Sequence, residues 1–293
     1  MKKILVPTDF SKPAFNAAKY ALHIAENIKA NLEFCHAMFV PAETPLTAQV
    51  SWPMEDVTVI KKEAAMEFRL LVDKLKKERS HPEVPADPHP EISWSAEMGG
   101  VLSVVSKLVD RQNVNLVVMG VSGASHLSRF FLGSNSFDMI NKAEFPVLLI
   151  PQEAEFRGIR KIAFATDLSV KDIDVIHSLA GLAAQFDAEI LITHVTSERI
   201  EQKHQQKIEA FLSEVTGKVN YHKIYYRDVR YKNVNSGLNW LIENVDLDML
   251  VMVHRQHGFF AGLIKSSHTQ QLARYSNIPL LVFPEAKGAV ACF

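Results

Sequence analysis

Three glycines and a serine near the middle of the chain have the types and spacing to hold a phosphate. The stretch GVSGASHLSRFFLGSNS, residues 120–136, sets Gly120, Gly123 and Gly133 with two and then nine residues between them, and Ser134 directly after the last. Glycine accepts positive φ and lets a ligand touch the main chain with no Cβ in the way. Consecutive amides in such a turn form an anion-binding concavity. A helix opening at Ser134 adds free N–H groups and the positive end of its dipole at the same spot. Ser134 can cap that helix or donate its hydroxyl to a phosphate oxygen, and Arg129 can reach an outer phosphate. The spacing differs from that of other phosphate loops: G-x-x-x-x-G-K-[ST] is absent, and so is G-x-G-x-x-G after the first strand.

These residues need a scaffold, and the chain writes one twice. KKILVPTDFSKPAFNAAKYA at Lys2 returns as RKIAFATDLSVKDIDVIHSLA at Arg160. Asp9 pairs with Asp167 and His36 with His194, both at a shift of 158, whereas Pro146 pairs with Pro279 at a shift of 133. The first copy is therefore longer by 158 − 133 = 25 residues, in Pro-rich stretches such as VPAETPLTAQVSWPM and SHPEVPADPHPE. In each copy short apolar runs alternate with segments of helical periodicity, the first helix capped by Ser11 in copy one. Strands alternating with helices imply parallel βαβ units. A run such as LVVM, apolar throughout, suits a strand covered on both faces. The expected fold is α/β: two tandem Rossmann-like domains, each a five-stranded parallel doubly wound sheet, over residues 1–152 and 158–286. The polar piece PQEAEFRG joins them. The last strands, PVLLI and PLLVF, would leave unpaired edges, and pairing with each other across a pseudo-two-fold axis removes that liability.

Composition narrows the class. Hydrophobic content is 47%, charged content 22%, and the net charge of −1 gives no basic field for nucleic acid. Cys35 and Cys292 make no disulfide framework and suit a reducing compartment. The start MKKILVPTDF has too short an apolar run for a signal peptide, and no run is long enough to cross a bilayer. A soluble, cytoplasmic protein with no nucleic-acid or membrane partner is expected.

G-x2-G-x9-G-S beside KKILVPTDFS, with H-A/V closing the second strand, resembles the ATP-binding branch of the universal stress proteins. The resemblance covers nearly the whole chain as a tandem of two such domains. It implies ATP against the glycine motif, with Gly120, Gly123, Gly133 and Ser134 holding phosphates and the backbone of Asn135 nearby. It puts Asp9 near adenine and ribose, Ala37 against the adenine through its backbone, and Pro7 and Thr8 on the base side. A magnesium or manganese ion would accompany the phosphates, held mainly by ATP itself.

Plainer readings of the same residues stay open. Gly120 and Gly123 can form a tight turn with no ligand, Asp9 can bond local amides, His36 and His194 can be satisfied core histidines, and Arg129 can be solvated. In the second copy Gly120, Gly123, Gly133 and Ser134 become Val253, Gln256, Ser266 and Ser267. Side chains there stand where phosphate must touch backbone, so no ATP is expected in that copy in the family manner. His254, Arg255, His257, Lys265 and His268 leave open a different anion site or a surface packed on the partner domain. The expected function is an ATP-binding regulatory module with one site per chain. The glycine stretch offers no acidic residue and no P-loop lysine, so at most a weak ATPase is expected. A slow ATP hydrolase or phosphoryl-transfer enzyme and a nucleotide-free interaction scaffold are the alternatives. The two domains are expected to pair within the chain; a homodimer is left open.

Overall fold

In the computed structural model of the chain, residues 2–38, 55–78, 90–121, 134–196, 202–255 and 278–285 are described. The first half runs β1 (Lys3–Pro7), α1 (Lys12–Ile28), β2 (Asn31–Met38), α2 (Glu55–Glu78), β3 (Ile92–Met98), α3 (Val101–Gln112), β4 (Leu116–Val121), α4 (Ser134–Lys142) and β5 (Val147–Pro151). The second half repeats the order: β6 (Lys161–Ala165), α5 (Asp172–Phe186), β7 (Glu189–Thr196), α6 (Gln202–Lys218), β8 (Ile224–Arg230), α7 (Val234–Asn244), β9 (Met249–His254) and β10 (Leu280–Pro284). Part of the first half's surplus is helical, since α2 has 24 residues and α6 has 17.

Local chemistry sets α1. The Ser11 side chain accepts from the Ala14 amide and Pro13 sits in the first turn, both start signals. Ala17, Ala18, Ala21 and Ala25 are buried on the sheet, so small side chains bring this helix close to the strands. It ends at Lys29 in the left-handed conformation, whose amide bonds Ala25 O.

The strands form one ten-stranded sheet in the order β3-β2-β1-β4-β5-β10-β9-β6-β7-β8. Pairing is parallel within each half, and the register repeats: Ile4 faces Leu116 in the first half and Ile162 faces Met249 in the second. The seam between halves is antiparallel. Leu148 stands opposite Leu281, Val147 opposite Val282 and Leu149 opposite Leu280. Leu148 and Leu281 are equivalent positions at the 133 shift, so equivalent residues meet at an axis, as in an isologous interface. The two last strands thus cover each other, as the sequence led us to expect.

Alternate strand residues feed opposite faces. Ile4 and Val6 join the core under α1, α2, α5 and α6, while Leu5 joins the core under α3, α4 and α7. The linker is clamped as well. Asn16 Nδ2 donates to Pro151 O at 2.9 Å and Ala154 O at 2.8 Å. The Phe156 ring packs edge-on to Tyr20 and stacks on His23, with centroids 4.9 and 4.8 Å away.

Candidate functional site

β1 lies between β2 and β4, and the chain winds outward on both sides from that pair. In an open α/β sheet this reversal opens a crevice beyond the carboxyl ends of the two strands. Pro7, Thr8 and Asp9 leave β1 there, Ala37 sits in β2 near its end, and Gly120 and Val121 end β4. α4 connects two parallel strands, β4 and β5, so its amino end, with Ser134 and Asn135, faces the same edge of the sheet. Both residues are exposed. Ser134 is the first residue of α4 among the described residues. Gly123, Arg129 and Gly133 lie outside the described residues.

The turn after β1 is built by its own polar groups. Thr8 N donates to Cys35 O at 2.8 Å. Phe10 takes a left-handed φ of 61° while its amide donates to Thr8 Oγ1 at 3.0 Å. Ser11 N donates to Asp9 Oδ1 at 3.0 Å, and the Ser11 hydroxyl donates to the same oxygen. His36 Nδ1 donates to Thr8 O at 2.8 Å, and its ring lies 5.0 Å from that of Phe10. His36 therefore holds the loop, and the local-amide role of Asp9 is real. It uses one carboxylate oxygen. The exposed Oδ2 meets no partner among the described residues. Burial first, then Glu33 and Glu97, push the thiol of buried Cys35 up to about 12.

The structure corrects the reason for Gly120. Its φ is not positive, so conformational freedom does not select it. A Cβ there would lie 2.2 Å from Pro13 O and 2.7 Å from Ala14 N. The first turn of α1 lies directly on β4, and only glycine admits it. Pro13 and Gly120 are remote in sequence, so no local signal pointed to this.

The second half keeps the turn and changes what faces it. Leu168 is left-handed with φ 63°, its amide donates to Thr166 Oγ1 at 2.9 Å, and Ser169 N donates to Asp167 Oδ1 at 3.1 Å. His194 Nδ1 donates to Thr166 O at 2.7 Å. Val253, in place of Gly120, carries the side chain that the first half excludes. The start of α5 differs accordingly: α1 opens with a Phe15 N to Ser11 O bond, whereas here Asp172 N bonds Ser169 O and Ile173 N bonds Val170 O, a tighter turn. Arg255, one residue past β9, reaches across this turn. Its Nη1 lies 2.7 Å from Asp167 Oδ2, and its Nη2 donates to Asp172 Oδ1 at 2.5 Å. Asp172 is buried and also accepts from Thr166 Oγ1 at 2.6 Å. Burial is the largest influence on its carboxyl and pushes it up, against the Thr166 hydrogen bond and Arg255. Sequence reading counted Arg255 among basic residues and missed Asp172, whose counterpart in the first half is Ala14.

The fold defines the class: a tandem, doubly wound α/β protein with a switch point in each unit. The sequence profile of the universal stress protein family matches residues 1–151 and again 158–284. The chain belongs to the universal stress protein family. Universal stress protein MJ0531 of Methanocaldococcus jannaschii is 29% identical over 151 residues, 51% of this chain and 81% of that protein. Among solved structures, a universal stress protein from Archaeoglobus fulgidus DSM 4304 superposes with a TM-score of 0.71 at 16% identity, covering 97% of this chain and 98% of that one. PA1789 from Pseudomonas aeruginosa PAO1, described as functionally unknown, gives 0.59 at 12% identity over 97% and 93% of the two chains. At such identities the likeness is one of fold. Among the described residues no helix is long and apolar enough to cross a membrane.

Proposed function

We propose that the chain is a nucleotide-binding regulatory module that holds one ATP in its first half. The observation that carries this is the contrast between equivalent crevices. In the first half the exposed Asp9 carboxylate has one oxygen without a partner among the described residues, and the strand end is followed by G-x2-G-x9-G-S and a helix amino end. In the second half Arg255 is pinned across the turn by two carboxylates and Val253 replaces the glycine. Asp9 would meet the ribose and base end, with Pro7, Thr8 and Ala37. Gly120, Gly123, Gly133, Ser134 and Asn135 would meet the phosphates through main-chain amides, with Arg129 on the outer one and magnesium or manganese carried by the ATP. The nucleotide-binding unit is residues 1–152 and its partner unit is 158–286. Fast hydrolysis needs a positioned water, a base and charge neutralisation, and this set supplies no base, so turnover is slow or nil. Calorimetric titration of ATP should show about one site per chain, weakened strongly by Gly133→Asp. Two equal sites, or none, would defeat the proposal.

A further inference from the structure

The ten-stranded sheet ends on β3 in the first half and on β8 in the second. An unpaired edge invites pairing with another chain, and proteins commonly blunt it with charge. β8 is blunted in that way: Arg227, Asp228 and Arg230 stand on it, and the Arg227 guanidinium lies over the Trp240 ring at 4.9 Å. β3 is not. Its one charged residue is Glu97, held by Lys107 and Arg111 of α3 at 3.4 and 3.6 Å. Trp94 and Met98 are 41% and 43% exposed on it.

The backbone of β3 fixes what this edge offers. Leu32 N donates to Glu91 O at 2.9 Å and Gly99 N donates to Met38 O at 3.0 Å, so the odd-numbered residues turn toward β2. Alternate residues of a parallel strand bond the same neighbour. The N–H and C=O groups of Ile92, Trp94, Ala96 and Met98 therefore point away from the sheet. The register with β2 runs without a bulge from Ile92 to Met98, and among the described residues no strand pairs on the outer side.

We propose that β3 pairs antiparallel with β3 of a second copy of this chain, about a two-fold axis at Ser95. The strand is self-complementary there. Ile92 meets Met98 and Trp94 meets Ala96, each pair exchanging both backbone hydrogen bonds. A large ring thus lies against a small residue, and Trp94 is held ready for it by its stack on Phe68, with centroids 4.9 Å apart. Glu97 falls opposite uncharged Ser93, so no like charges oppose. Ser95 meets its equivalent in the closer, non-hydrogen-bonded kind of pair. Its buried hydroxyl has no partner among the described residues, and a serine-to-serine bond across the strands supplies one. β8 lacks this fit, because pairing with itself about Arg227 would set two guanidinium groups against each other. The chain already covers β5 and β10 by antiparallel pairing of equivalent residues. The inference shares no residue with the nucleotide reading and stands apart from it.

Sedimentation equilibrium of the full chain, without nucleotide, tests it and should show one monomer–dimer equilibrium. Ser93→Glu sets a glutamate opposite Glu97 at two places and should weaken the dimer about 2- to 30-fold, whereas Ser93→Lys should tighten it by a similar factor. Ser93 is exposed, so neither change disturbs the core. Ala96→Pro deletes an N–H that faces outward and bonds nothing in β2, a position where an edge strand tolerates proline, and should abolish the dimer. A wild-type chain that stays monomeric at about 1 mM would overturn the proposal. So would a dimer on which the two Ser93 variants act alike, since the contact would then lie on another surface. Species that grow without limit would overturn it too, because they mark β3 of one copy on β8 of the next.

Discussion

Gly120 is fixed by the chain's own packing before any ligand is considered. With Pro13 O where its Cβ would stand, Gly120→Ala must push α1 off β4. Overpacking of this kind costs about 1–3 kcal/mol. Urea denaturation without nucleotide should show that loss; a variant as stable as wild type would mean that α1 does not rest there. His194 offers a second residue-scale check. Burial is the main influence on its imidazole and lowers it from 6.5, assisted by His204 stacked at 5.1 Å and by Lys207, and opposed by the bond to Thr166 O and by Asp228. A histidine lowered in the folded state contributes stability that is present above 6.5 and is lost as pH falls through the folded value. Wild-type stability should therefore drop as pH falls below 6.5, and His194→Asn, which can still donate to Thr166 O, should flatten that part of the curve. An unchanged slope would remove His194 as its source. Residue roles were the hardest part to read from the sequence. Asp9 was legible because Ser11 lies two positions away. The Pro13–Gly120 contact and the Arg255–Asp172 bond were not, since each joins residues that only the folded sheet brings together.

Elements were far more legible. The central strands are short apolar runs because the sheet is covered on both faces there, the edge strands β3 and β8 are mixed and partly exposed, and each helix shows its buried stripe. Even the seam could be argued in advance, since two proline-bracketed apolar edges in one chain have an obvious partner in each other. What sequence did not show was that equivalent residues meet there. Leu148 and Leu281 are both fully buried and directly opposed. Leu→Ala at either should cost about 2–5 kcal/mol. Because the side chains share one contact, the double variant should depart from the sum by about 0.5–3 kcal/mol. Strict additivity in denaturant titrations would mean that the strands meet without packing. The offset start of α5 shows how one position reshapes an element: with Val253 where Gly120 stood, the first turn tightens, and Asp172 points inward to Arg255.

At the scale of the molecule, one continuous sheet predicts one unfolding event. Two-domain chains commonly melt in steps because their interfaces are weak. Here the halves share hydrogen-bonded central strands, a core on each face and a linker held by Asn16 and Phe156. The tryptophans can report each half separately. Trp52 and Trp94 belong to the first copy and Trp240 to the second. A Trp240→Phe chain reads the first half, and a Trp52→Phe, Trp94→Phe chain reads the second. Their fluorescence transitions in urea should coincide. ATP bound in the first half should move both midpoints together, by about 2.7 kcal/mol at a ligand concentration a hundredfold above Kd. A shift confined to the first-half probe would show that the seam transmits no stability and that the two units fold as neighbours rather than as one body.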